Sequence, residues 1–261
     1  MRDTYLIFGS PQITQDEIDG VVDSLKSGWI GTGPKVGNFE NQFKNYINTK
    51  NAIAVNSCTA AIHLSLLSLD IGPGDEVITT PMTFCSTVNA IIHTGAHPVL
   101  ADIDFTTMNI DPSKVKEKIT KNTKCILPVH FAGHPCDMDA IMEIASVDNL
   151  FIVEDCAHAI ESVYRGKHAG TFGNLGCYSF YVTKNITTGE GGMVITDDEE
   201  LASGIKTMAL HGLNKDAWKR FSDDGYKHYY IREAGFKYNM MDIQAAMGIQ
   251  QLKKVKQYWE R

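Results

Sequence analysis

Apolar residues along this chain fall into two arrangements, stripes at helical spacing and short unbroken runs. Over 14–27, Ile18, Val21, Val22 and Leu25 recur on one helical face. Thr14 with Glu17 three positions later forms a capping box, and Gly28 stops the segment. An amphipathic helix is predicted. A second helix is predicted over 36–46, after the loop Gly31-Thr32-Gly33-Pro34; the glycine spacing there is wrong for a dinucleotide fingerprint, and no strand precedes it. From residue 51 the pattern changes. Runs at 51–55, 76–80, 98–102, 124–129, 150–155, 177–182 and 193–196 read as strands. Helical stretches lie among them, over 57–69 with Ile62, Leu66 and Leu69 inward, from 88, and over 111–119, 137–145 and 199–210. Such alternation is the βαβ signature of an α/β protein with a mostly parallel sheet flanked by helices. The stretch 218–235 is polar, aromatic and loop-like. A last helix over 242–258 turns Ile243, Ala246, Met247, Ile249, Leu252 and Val255 inward.

Composition narrows the partners more than the fold. At 261 residues the chain can bury one large core. A net charge of −7 with no run of Lys or Arg argues against nucleic acid. No window approaches the length of a membrane span. The six cysteines are scattered without C-x-x-C spacing, which favours reduced thiols and a cytoplasmic setting. His93 and His97, like His130 and His134, stand four apart. Neither pair has the Glu of H-E-x-x-H, and Gly or Pro breaks each segment, so no metal site is expected.

The chemistry lies in two runs. Leu150-Phe151-Ile152-Val153-Glu154-Asp155 is a strand ending on acids, and ligands of open α/β sheets sit just beyond the carboxyl ends of strands. Ser179-Phe180-Tyr181-Val182-Thr183-Lys184 delivers one lysine into a glycine-rich turn. A lysine and an acid at strand ends are what a pyridoxal phosphate (PLP) enzyme needs, one to hold the cofactor and one to keep its ring nitrogen protonated. The helix start at Asn56-Ser57-Cys58-Thr59 suits a phosphate. Singly, each has a plainer explanation: most lysines are solvated surface charges and capped helices are common. It is the combination that points to a site.

These stretches, with Gly72-Pro73-Gly74-Asp75-Glu76-Val77-Ile78, Pro128-Val129-His130, Glu154-Asp155-Cys156-Ala157-His158-Ala159 and Thr188-Gly189-Glu190-Gly191-Gly192, follow a fixed order. Together they resemble the DegT/DnrJ/EryC1/StrS sugar aminotransferases, PLP enzymes of fold type I, nearest in look to the branch that makes 4-amino sugars on nucleotide carriers. The resemblance implies that Lys184 and Asp155 are catalytic and that Thr59, Ala60 and Ser179 hold the cofactor phosphate. Phe84 would stack on the ring and His158 would lie beside its phenolic oxygen. Asn239, in Lys237-Tyr238-Asn239-Met240, would reach the phosphate of a neighbouring subunit, which implies a homodimer with shared sites. The implied substrates are glutamate and a nucleotide-linked keto-sugar, aminated at C4, for cell-surface polysaccharide. The implied layout is N-terminal helices and an active-site loop over 1–50, an α/β core over 51–235, and over 236–261 the start of a long helix. Family members continue beyond that helix into a small C-terminal domain, largely absent from this sequence. A PLP sugar dehydratase of the same family would lack the lysine, so Lys184 counts against it. A non-catalytic PLP-binding or regulatory remnant stays open as the alternative.

Overall fold

The computed structural model describes residues 5, 9–213 and 230–260. Two helices, α1 (Gln15–Ser27) and α2 (Pro34–Ile47), precede strand β1 (Asn51–Val55). Strands and helices then alternate through α3 (Cys58–Ser68), β2 (Glu76–Thr79), α4 (Cys85–Thr94), β3 (His97–Leu100), α5 (Pro112–Lys118), β4 (Thr123–Ile126), α6 (Met138–Asp148) and β5 (Phe151–Asp155). A two-residue-per-strand hairpin, β6 (Val163–Tyr164) and β7 (Lys167–His168), was not foreseen from the sequence. After it come β8 (Leu175–Ser179), β9 (Gly192–Thr196), α7 (Glu199–Met208) and α8 (Asp242–Trp259). Part of the expected loop at 218–235 lies outside the described residues.

Seven strands form one sheet in the order β1-β9-β8-β5-β4-β2-β3. The pairs from β8 through β5, β4 and β2 to β3 are parallel, whereas β9 runs antiparallel to both its neighbours. The mostly parallel α/β sheet predicted from the alternation is therefore present, and the carboxyl ends of β2, β4, β5 and β8 share one edge. In β1, alternation assigns Ile53 and Val55 to one core and Ala52 and Ala54 to the other. On the first side lies α3, buried nearly all round, not on the single stripe expected. On the second, Phe43 packs 5.0 Å from Tyr178 and Phe39 packs 5.2 Å from Phe180, ring to ring.

Two features of the N-terminal helices are set by α8. The apolar stripe of α1 faces outward, with Ile18, Val22 and Leu25 exposed, while Glu17 and Ser24 are buried. The inner face is small and polar because α8 comes close: a Cβ on Gly20 would stand 3.3 Å from the Ala246 carbonyl oxygen. Glu17 is accommodated there by donors from α8, Gln251 Nε2 at 2.9 Å and Lys254 Nζ at 2.7 Å. The start of α2 is likewise capped from a distance. Asp242, the first residue of α8, accepts the amides of Gly33 at 2.8 Å, Lys35 at 3.1 Å and Val36 at 3.0 Å, so the orphan donors of one helix are satisfied by another.

Candidate active site

β5 ends on two acids that point opposite ways, as pleating requires. Asp155, 4% exposed, accepts the Thr87 hydroxyl on Oδ2 at 2.8 Å and the Ala157 amide on Oδ1 at 3.1 Å. Its own backbone is clamped between Pro128 O and His130 N. Glu154 enters a closed network instead. Its Oε1 accepts the amides of Phe172 at 2.8 Å and Gly173 at 2.7 Å, and its Oε2 accepts the Gly170 amide at 2.7 Å and His130 Nε2 at 3.0 Å. His130 Nδ1 accepts the Cys136 amide at 3.1 Å, which fixes Nε2 as the protonated nitrogen. His130, Glu154 and Cys156 are the one trio of potential metal ligands among the described residues. The carboxylate and ring of this trio are fully committed to hydrogen bonds, and burial pushes the Cys156 thiol up to about 12. The arrangement is that of a structural clamp.

Lys184 sits in the turn after β8, half-buried, its amide bonded to Tyr181 O at 2.9 Å. The strand ends three residues earlier than predicted, at Ser179, so the lysine is carried on a turn and not on a strand tip. Desolvation lowers the pKa of its amine, opposed by the neighbouring Cys58 thiol and Asp155 carboxylate. The same three groups interact from the side of Cys58, the first residue of α3, whose thiol is pushed well up by burial and then by Asp155. Lysine, acid and helix start therefore converge on the carboxyl edge of the sheet. Ser57 caps α3 by accepting the Ala60 amide at 3.1 Å, leaving Thr59 half-buried and Ala60 buried in the first turn.

Ser179 joins the group through the sheet. It pairs with Gly192, and a Cβ on Gly192 would stand 2.5 Å from the Ser57 carbonyl carbon and oxygen and 2.7 Å from the Cys58 amide nitrogen. Only glycine lets β9 start against the first turn of α3. His158 lies exposed at the rim, its pKa lowered by partial desolvation of the ring and by the charge of Lys184, with Asp155 acting the other way. Phe84, at the N-cap of α4, is 76% exposed and so is no core aromatic. Its neighbour Thr83 bonds Thr87 at 2.7 Å, tying that loop to Asp155.

Asn239 is set apart. It bridges to Val55 and donates from Nδ2 to the Thr32 hydroxyl at 2.6 Å, while its Oδ1 is buried without a partner. It lines a cavity of about 1080 Å³ with Trp29, Lys206 and Lys237. That cavity contains neither Lys184 nor Asp155; a smaller one of about 250 Å³ has Lys184 in its wall. Chemistry, not size, marks the site. Sequence reasoning missed the hydroxyls of Thr83, just before the N-cap of α4, and Thr87, within it, because no local signal pairs them with Asp155.

This donor set suits pyridoxal phosphate: a desolvated primary amine, a buried carboxylate, a helix N-terminus with a glycine cradle beside it, and an exposed aromatic ring on the bordering loop. With the sheet order and the crossover helices, it defines the large domain of a fold type I PLP-dependent transferase. The chain belongs to the DegT/DnrJ/EryC1/StrS aminotransferase family, which it matches over residues 11–261. It is 54% identical to an uncharacterised protein of Methanocaldococcus jannaschii, over 97% of this chain and 66% of that protein. It is 51% identical to the spore coat polysaccharide biosynthesis protein SpsC of Bacillus subtilis, over 97% of this chain and 65% of SpsC. Among solved structures it superposes on Spr1654 of Streptococcus pneumoniae, described as a candidate sugar aminotransferase, with a TM-score of 0.90 in the PMP form. The identity there is 37%, over 97% of this chain and 68% of that one. The PLP form of the same protein matches with a TM-score of 0.89. The cofactor of the family is PLP. The chain spans about two thirds of the length of the curated relatives it matches.

Proposed function

We propose that this protein is a PLP-dependent sugar aminotransferase serving polysaccharide synthesis, and that it moves an amino group from glutamate to a nucleotide-linked 4-keto sugar. The observation that carries the reading is the convergence of Lys184, Asp155 and the start of α3 at one sheet edge: Asp155 pairs with Cys177 on β8, Ser179 pairs with Gly192, Gly192 lies against Ser57 and Cys58, and Lys184 interacts with both Asp155 and Cys58. The cofactor, when bound, supplies an electron sink for the carbon that gains or loses the amino group. Lys184 would hold the cofactor through its amine and, with that amine free, would move a proton at the substrate carbon; its desolvation keeps more of the amine in the neutral form that both tasks need. Asp155 would hold a proton on the ring nitrogen. The first turn of α3, with the Thr59 hydroxyl, and Ser179 hold the phosphate, an arrangement favoured by the helix dipole. Phe84 would stack on the ring and His158 would lie on the side of its phenolic oxygen. Asn239, through the N–H groups of its Nδ2 amide, would reach the phosphate in the site of a second subunit, which makes the working unit a homodimer. Glutamate, the nucleotide and the C4 position rest on the family resemblance; kinship with SpsC supports a polysaccharide role. Six free cysteines, five of them buried, support the reading of a cytoplasmic protein.

The test is an absorbance titration of the purified protein with PLP, followed by glutamate and then by candidate keto-sugars. A visible band that glutamate converts to the PMP spectrum with release of 2-oxoglutarate, and that a nucleotide-linked 4-keto sugar restores, is expected. A band indifferent to glutamate would reduce the protein to a PLP binder.

A further inference from the structure

We infer that Thr87 is a positioning residue for the cofactor-facing acid, and that Thr83 fixes the direction in which it acts. The inference rests on the reading of Asp155 as the partner of the ring nitrogen. Thr87 is fully buried on α4, and its hydroxyl donates to Asp155 Oδ2 at 2.8 Å. A hydroxyl has one proton. With that proton given to Asp155, the 2.7 Å contact between Thr87 and Thr83 requires Thr83 to donate and Thr87 to accept. The chain thus runs one way, from Thr83 to Thr87 to Asp155.

The geometry has two consequences. The Ala157 amide binds Oδ1 as Thr87 binds Oδ2, so each carboxylate oxygen has one fixed donor and the plane of the group is set from both sides. An oxygen of a carboxylate accepts more than one hydrogen bond, so both remain able to face a ring N–H. Thr83 immediately precedes Phe84, whose ring is exposed at the start of α4. One pair of hydroxyls therefore couples the residue expected on the ring face to the residue expected on the ring nitrogen. Valine at position 87 has nearly the same shape and removes only the hydroxyl, leaving a buried carboxylate oxygen short of a donor.

The experiment compares Thr87→Val, Thr87→Ser and Asp155→Asn with the parent, by PLP affinity from fluorescence quenching and by the pH profile of the bound-PLP absorbance. A hydrogen bond to a charged group sets the scale. Thr87→Val is expected to weaken PLP binding by roughly ten- to a hundredfold and to displace the pH profile, with Thr87→Ser restoring both. Parent-like affinity and profile in Thr87→Val, while Asp155→Asn loses both, would overturn the inference and leave Asp155 in its place. Indifference of PLP to Asp155→Asn would instead remove the reading on which it rests. A lowered melting temperature of the PLP-free Thr87→Val protein with an unmoved pH profile would mean that Thr87 only packs, and the inference fails in that case as well.

Discussion

Glu17 Oε1 lies 2.7 Å from Lys254 Nζ, a contact that joins the first helix to the last across 237 positions of sequence. Glu17 is 1% exposed. Its desolvation would raise the carboxyl pKa, but hydrogen bonds from Lys254, from the hydroxyl and amide of Thr14 and from Gln251 outweigh that and bring it down to about 2. A depressed carboxyl pKa contributes stability that is fully present above the unfolded value and is lost as pH falls toward the folded one. The contact should therefore weaken progressively between pH 4.5 and about 2. Lys254 keeps some solvent contact, so a contribution on the order of 2 kcal/mol is reasonable. Chemical denaturation of Glu17→Gln should show that loss at pH 7 and a flatter acid limb than the parent; equal acid limbs would contradict the assignment.

The amine of Lys184 should titrate below a free lysine, because desolvation dominates over the opposing influence of Asp155 and Cys58. Asp155 opposes the shift, so Asp155→Asn should move the midpoint lower still. The rate of Lys184 modification by an amine reagent, followed by peptide mass spectrometry across pH in the PLP-free protein, measures this directly. A midpoint that rises in Asp155→Asn would mean that the two groups do not face each other. Lys184→Ala should abolish covalent PLP attachment and lower turnover by roughly 10²–10⁴-fold or more.

Phe84 separates binding from folding. Being 76% exposed, it should cost under about 0.5 kcal/mol of stability when replaced by Ala. Loss of ring stacking should weaken PLP binding by about 1 kcal/mol, a several-fold change in Kd. Phe84→Trp should retain or tighten it. Thermal melts without PLP and titrations with it make the comparison, and unchanged Kd in Phe84→Ala would place the ring elsewhere.

Glu154 should behave in the opposite way. Four donors converge on its carboxylate in a fully buried setting. Glu154→Ala leaves three amides and a ring nitrogen unpaired and should destabilise the fold by about 3–5 kcal/mol. Because no lone pair of Glu154 or His130 is left for a metal, a chelator should leave the melting temperature unchanged. A fall on adding chelator would show that the cluster holds an ion.

Much of the candidate site was legible because its features are local. Asp155 and Lys184 stand at the ends of apolar runs, Ser57 caps the helix it precedes, and Gly192 follows the turn at Gly189, whose φ of +80° only glycine adopts readily. Such features depend on neighbours within a few residues, and motif order carried the remainder of the family assignment. Thr87 was not legible, because nothing near it in sequence says that it meets a carboxylate 68 positions away.

By itself, then, the sequence determined the strand and helix alternation, the caps of α1 and α3, and the identity of the chemical groups, since all of these follow from hydrophobic period and local hydrogen bonding. The tertiary structure alone decided orientation and pairing. It set β9 antiparallel between β1 and β8, turned the apolar stripe of α1 outward, and gave the start of α2 to Asp242. It also divided two adjacent acids between the carboxyl edge of the sheet and a buried clamp. Periodicity marks where an apolar or polar face lies along an element, but which neighbour that face meets is fixed only when distant segments compete for the same space and the same buried donors.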